Sequence, residues 1–140
     1  IDHFKAYNDC YGHQAGDVAL QRIGALIEQS ARRPLDMGVR LGGEEFALIL
    51  PNTTLQGAWQ LAEQIRHSLE NAEQKTEPAF HLTLSAGCYA AVPGAQSDND
   101  EYIRFADSAL YRAKAAGRNQ VHSYPAAAAF SATSGEVNEH

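Results

Sequence analysis

In the stretch VRLGGEEFALIL, Val39 to Leu50, two adjacent glutamates follow paired glycines and lead into an apolar run. Glu44 and Glu45 are hard oxygen donors of the kind that suits magnesium, which takes one or two carboxylates and keeps several waters. Neighbouring anions repel, and solvent, a cation or a metal relieves the repulsion. Successive strand residues point to opposite faces, so only one of the pair faces a site directly unless the turn twists them. Taken alone, a solvated hairpin loop is the commoner explanation, because surface charge on turns is ordinary.

Other polar residues have the same double reading. Lys5 lies near the start, and Lys114 and Arg118 are four residues apart near the end of an apolar-periodic stretch. They are either anion-binding cations or charges that complement a helix dipole. Asn8 and Asp17 are individually ordinary as a turn former and a helix cap. His13, in YGHQAGD, has no second histidine at a ligand-like spacing and reads as a structural loop residue.

These side chains need elements to hold them. The first segment, IDHFKAYNDCYGHQAGD, reads as a strand exit, a short helix and a loop. A helix is expected from Asp17, as its N-cap, toward Arg32, with Leu20, Ile23 and Ile27 on one face. Pro34 and Gly38 break it. Strands at Val39–Leu41 and Glu45–Leu50 form a hairpin across Gly42–Gly43. A helix at Thr54–Glu70 presents Ala58, Leu61, Ala62, Ile65 and Leu69, and FHLTLSAGCYAA alternates as a half-buried strand. A further helix spans Asp100–Ala116, with Ile103, Ala106, Leu110 and Ala113 inward and Gly117 ending it, before a last strand at Gln120–Tyr124. The resulting order, α-α-β-β-α-β-α-β with a first strand expected before Ile1, is that of an α/β (α+β) domain with a mixed central sheet flanked by helices. Residues 125–140 lack amphipathic period and are expected to be a disordered tail.

At 140 residues the chain suits one domain, here residues 1–124, with a single core. A net charge of −6 argues against a broad nucleic-acid surface but not against a mononucleotide met by a few focused cations and a metal. The two cysteines, Cys10 and Cys88, form no CxxC pair and suit a reducing cytoplasm. No run reaches the ~18 apolar residues of a membrane span.

Three segments together, IDHFKAYNDCYGHQAGDVAL, RLGGEEFALILP and ALYRAKAAGRNQV, resemble the GGDEF family of diguanylate cyclases, from Ile1 to about Val121. The resemblance implies a nucleotidyl-cyclase or palm-like fold and the joining of two GTP molecules into cyclic di-GMP, with Mg²⁺ (or Mn²⁺) as cofactor. It implies that Glu44 is a metal ligand and that Glu45 binds metal or activates a ribose 3′-hydroxyl. The Ile1 carbonyl is implied as another metal contact. Lys5, Lys114 and Arg118 take the positions of phosphate-binding cations, and the amides of His3 and Phe4 those of a phosphate cradle. Asn8 and Asp17 take those of guanine readers. A carboxylate suits the N1–H and 2-amino donors of guanine, which adenine lacks. A homodimer with one GTP per subunit follows from the family arrangement, as does an upstream sensory domain, in a cytoplasmic setting whose parent protein is free to be membrane-anchored.

RPLD, Arg33 to Asp36, has the RxxD pattern at the spacing of the family's inhibitory product site, where arginine stacks on guanine and pairs with phosphate. A solvated helix end is the bland alternative. The secondary arginine of that site is Gln64 here, with Arg66 close by. The family's aspartate metal ligand precedes the position of Ile1, so these 140 residues alone are expected to be weakly active or inactive. The competing expectation is a catalytically inactive GGDEF-like module that binds cyclic di-GMP or GTP as a sensor. An adenylate-type cyclase or polymerase palm fits less well with Asn8 and Asp17.

Overall fold

The apolar spacing of the chain resolves into eight elements in the computed structural model, which describes residues 1–74, 81–94 and 98–126. They run α1 (Phe4–Tyr11), α2 (His13–Ser30), β1 (Met37–Gly42), β2 (Glu45–Ile49), α3 (Leu55–Gln74), β3 (Ala86–Tyr89), α4 (Asn99–Ala115) and β4 (Val121–Tyr124), in the expected order. No helix among the described residues is long and apolar enough to cross a membrane. The expected tail from residue 127 onward lies outside the described residues.

One boundary differs from expectation in a way that matters for the site. Helix α2 begins at His13, directly after Gly12, so Asp17 sits inside the helix rather than capping it. The stretch that reads as a loop is helical because Gly16 is packed against α1, where tertiary contact outweighs glycine's weak helix propensity. Thr54 does act as a cap, its Oγ1 accepting from the Gly57 N–H at 3.0 Å. Asp98 caps α4 in the same way through the Asp100 N–H.

Strands β1 and β2 pair antiparallel, Met37 opposite Ile49 through Arg40 opposite Phe46, with a bulge before Gly42 meets Glu45. Gly42 and Gly43 have φ of 148° and 53°, conformations that side-chain-bearing residues adopt at a cost, which is why the turn needs glycines. Strands β3 and β4 pair in parallel, Ala86 opposite Val121. The mixed strand directions are as expected, but among the described residues the ladders form two separate two-stranded sheets. An isolated bridge between Asp2 and Thr83 accompanies them.

One core joins the halves. Phe4 and Tyr7 of α1, Leu20, Ile23 and Ile27 of α2, Ile65 and Leu69 of α3, and Leu82 and Leu84 ahead of β3 are all buried together. Each such aliphatic side chain contributes about 1.5–3 kcal/mol on burial. Both α3 and α4 pack on β3 and β4. The approach of α4 is so close that a Cβ on Gly87 would lie 2.2 Å from the Ala106 carbonyl oxygen. Ala109 and Ala113 are fully buried in that contact, whereas Ile103, expected inward, is exposed. The inward stripe of α4 runs through Tyr102, Ala106, Ala109 and Ala113, and Ile103 lies one step of about 100° to its side.

Candidate active site

Glu44 occupies the hairpin turn, partly buried, and Glu45 opens β2, exposed. The Ile1 nitrogen donates to the Glu44 carbonyl oxygen at 3.2 Å, which joins the start of the chain to this turn.

The expected cations come from separate elements. Lys5 projects from α1, Lys114 from the last turn of α4, and Arg118 from the loop after it; all three are exposed. Among the described residues none of the three is held in an ion pair. His3, with φ of 59°, precedes α1 and offers no side-chain cap to the first N–H groups of that helix.

Asn8 and Asp17 lie on the packed pair α1 and α2. Asn8 Oδ1 is buried without a hydrogen-bond partner, a state that natural structures reserve for sites with a missing ligand, water or strain role. A cleft of about 540 Å³ separates α2 from the hairpin, with Asp17, Leu20, Gly24, Arg40 and Phe46 in its walls. Its size is that of a small-molecule site.

Arg33 and Asp36 are brought together, Nη2 to Oδ1 at 3.4 Å, and the Arg33 N–H donates to Asp36 Oδ2 at 3.2 Å. Arg33 also donates to the Pro51 carbonyl at 2.6 Å and to Thr53 Oγ1, tying the loop before β1 to the loop before α3. Arg66 is not brought to this pair. It lies roughly 16 Å along α3 from Leu55 at the rise of an α-helix. Its guanidinium makes two 2.8 Å bonds to Glu63, one of 3.1 Å to Glu70 and one of 2.9 Å to Asn119; the bonds to Glu63 first, and then to Glu70, raise its pKa above the ordinary value.

Three residues escaped the sequence reading. Arg40 lines the cleft, and its Nε donates to the Gly43 carbonyl at 3.0 Å, bracing the turn; an arginine inside the apolar VRL strand was its only signal. Asp2 is 3 % exposed and accepts from Thr83 Oγ1 at 2.8 Å, Ser85 Oγ at 2.7 Å and the Asn119 N–H at 3.0 Å. Asn119 in turn donates to Glu70 Oε2 at 2.7 Å. Cys88 is buried, its thiol pushed up to about 12 by desolvation, and is unreactive; Cys10 is exposed.

A divalent cation fits the donor chemistry in kind. Among the described residues no group of three His, Cys, Asp or Glu side chains forms a protein cage. Two carboxylates beside a strand-entry backbone suit instead a magnesium ion that completes its shell with water and phosphate.

Residues 1–120 match the family described as "Diguanylate cyclase, GGDEF domain". Diguanylate cyclase DgcM of Escherichia coli K12 is 43% identical over 120 residues, which cover 86% of this chain and 28% of that protein. An uncharacterized protein of Bacillus subtilis strain 168, YhcK, is 39% identical over 122 residues, 86% of this chain and 34% of its own length. The chain thus spans about a third or less of these relatives. The active GGEEF domain of a diguanylate cyclase from Vibrio cholerae superposes with a TM-score of 0.81 at 35% identity, covering 91% of this chain and 80% of that one. The GGDEF domain of DgcB from Caulobacter crescentus, in complex with c-di-GMP, gives 0.79 at 34% identity, covering 88% and 72%.

Proposed function

The chain belongs to the GGDEF family of diguanylate cyclases, and from that premise we propose that it forms one half-site for the condensation of two GTP into cyclic di-GMP. The observation that carries this reading is the buried, unpartnered Asn8 Oδ1 together with the backbone tie that sets Ile1 against the GGEEF turn at the Glu44 carbonyl. Glu44, Glu45 and the Ile1 carbonyl would hold Mg²⁺ (or Mn²⁺), which when bound lowers the pKa of the attacking hydroxyl and offsets charge on the transferring phosphoryl group.

The 3′-hydroxyl of one GTP attacks the α-phosphorus of the other and pyrophosphate leaves. Lys5, Lys114 and Arg118, with the N–H groups of His3 and Phe4, neutralise the triphosphate and the charge that develops on it. Asn8 and Asp17 read guanine, and the unpartnered Asn8 Oδ1 supports a polar ligand at that place. Glu45, exposed at the head of β2, takes the 3′-hydroxyl proton in this reading. One GTP per subunit requires a two-fold homodimer, and control falls to whatever pairs two copies, such as a further regulatory domain of the longer protein.

Arg33 and Asp36 form the inhibitory product site in this reading, supported by their contact and by the 6% exposure of the Asp36 side chain. The guanidinium fork takes phosphate and the guanine face, and the carboxylate takes the guanine edge.

The test is full-length protein with GTP and Mg²⁺, its products separated by chromatography. Glu45→Ala is expected to abolish cyclic di-GMP while circular dichroism stays unchanged. Wild-type protein that binds cyclic di-GMP without making it would replace this reading with that of a sensor module.

A further inference from the structure

Arg118 and Asn119 are consecutive residues in the left-handed region, with φ of 65° and 51°. Asparagine tolerates that region, but for Arg118 it costs on the order of 1–2 kcal/mol and persists only where the surroundings hold it. What holds them is a chain of hydrogen bonds that begins at a buried carboxylate. Asp2, fixed from one side by Thr83 and Ser85, accepts the Asn119 N–H through Oδ2. The Asn119 amide is gripped at both ends, donating to Glu70 and accepting from Arg66, and Arg66 is itself clamped by Glu63. Every polar group of Asn119 named here is thereby tied to an element other than its own. The Arg118 N–H closes the loop on the Ala113 carbonyl at 3.0 Å.

Arg118 is exposed, and among the described residues its guanidinium is held in no ion pair. We infer that Asp2 and Asn119 are positioning residues that lock the loop after α4 in its left-handed form and so aim Arg118 at the nucleotide phosphates. The inference rests on the reading of Arg118 as a phosphate cation. With the lock released, the backbone relaxes toward the right-handed region, and the guanidinium swings away from a triphosphate whose other contacts are unchanged. The network also accounts for Arg66: its guanidinium serves this loop.

The experiment is a double-mutant cycle on the full chain with Mg²⁺, read by calorimetric binding of 3′-deoxy-GTP, which lacks the attacking hydroxyl. Asn119→Gly keeps the N–H and tolerates the left-handed backbone but removes the amide grip; Asp2→Asn weakens the other end. Each is expected to weaken binding about tenfold, the scale of one charge-assisted contact. In an Arg118→Ala background the same changes are expected to cost nothing further. Glu70→Gln, at the outer end of the network, is the mild variant should thermal melts show either of the others unfolded, and it follows the same pattern at smaller size. Equal losses in both backgrounds, or no loss with Arg118 present, overturn the positioning role while leaving the phosphate reading in place. An Arg118→Ala protein that binds as tightly as wild type removes that reading, and the inference with it.

Discussion

Asn8 Oδ1 fills the space that a Cβ on Gly16 would need, the two points lying only 1.7 Å apart. The buried oxygen and the missing side chain are therefore one feature, and Gly16 lets α1 and α2 close with the Asn8 amide between them. Gly16→Ala is expected to expel that amide and weaken GTP binding by about tenfold or more, the loss expected when a site built around a polar group no longer presents it. Helix propensity pulls the other way, since alanine favours α2 by about 1 kcal/mol. GTP titration alongside thermal melts separates the effects, and unchanged affinity would remove Asn8 from the guanine site.

Arg33 is committed before any product arrives, because its side chain bridges Asp36 to Pro51 and Thr53. Arg33→Ala is expected to relieve product inhibition and also to lower the melting midpoint slightly, as surface ties of this kind contribute up to about 1 kcal/mol. Arg33→Lys keeps the charge without the planar fork and is expected to relieve inhibition nearly as well. Initial rates at rising cyclic di-GMP concentration decide it; inhibition that survives both changes refutes the assignment.

Gly87→Ala places a methyl 2.2 Å from the Ala106 carbonyl oxygen and 2.3 Å from the Leu110 nitrogen, both backbone atoms. Neither can rotate away, so α4 must lift from β3. A destabilisation of about 3 kcal/mol, the upper range for overpacking, is expected in urea unfolding. Because α4 carries Lys114, activity is expected to fall as well; a stability within 0.5 kcal/mol of wild type, the range of neutral surface changes, would contradict the packing described.

Glu70 is held below its ordinary value of 4.5, first by the hydrogen bond from Asn119 and then by that from Arg66. A depressed carboxylate favours the folded state above its unfolded value, and the benefit disappears as pH falls through the folded value. Glu70→Gln is thus expected to be less stable than wild type at neutral pH and to converge on it below pH 4.5. The gap is modest, since the side chain is 31% exposed and screened by solvent. Melting curves across the acid range test this, and a gap independent of pH would count against the bond network.

Much of this molecule is local and was legible for that reason. The hairpin follows from paired glycines between apolar runs, and helices α3 and α4 follow from apolar periodicity, with Gly117 after the end of α4. The alternation Leu82, Leu84 against Thr83, Ser85 foretold which side chains are buried, though not that the polar pair serves Asp2. What escaped depends on distant partners. Asp17 reads as a cap until Gly16 is seen to touch Asn8 across a helix pair. Asp2 binds a residue 117 positions away, and Arg66 one 53 away. No spacing rule within one element carries such pairings.

The two residues that open the chain face opposite ways. Ile1 is fastened to the turn that carries the glutamates, and Asp2 to the loop that carries Arg118 through Asn119. Two adjoining peptide units thus serve as a common axle for two jaws, the glutamate-bearing turn and the arginine-bearing loop. A twist applied to the backbone there reaches both jaws in a single stroke, and neither can be re-aimed without disturbing the other.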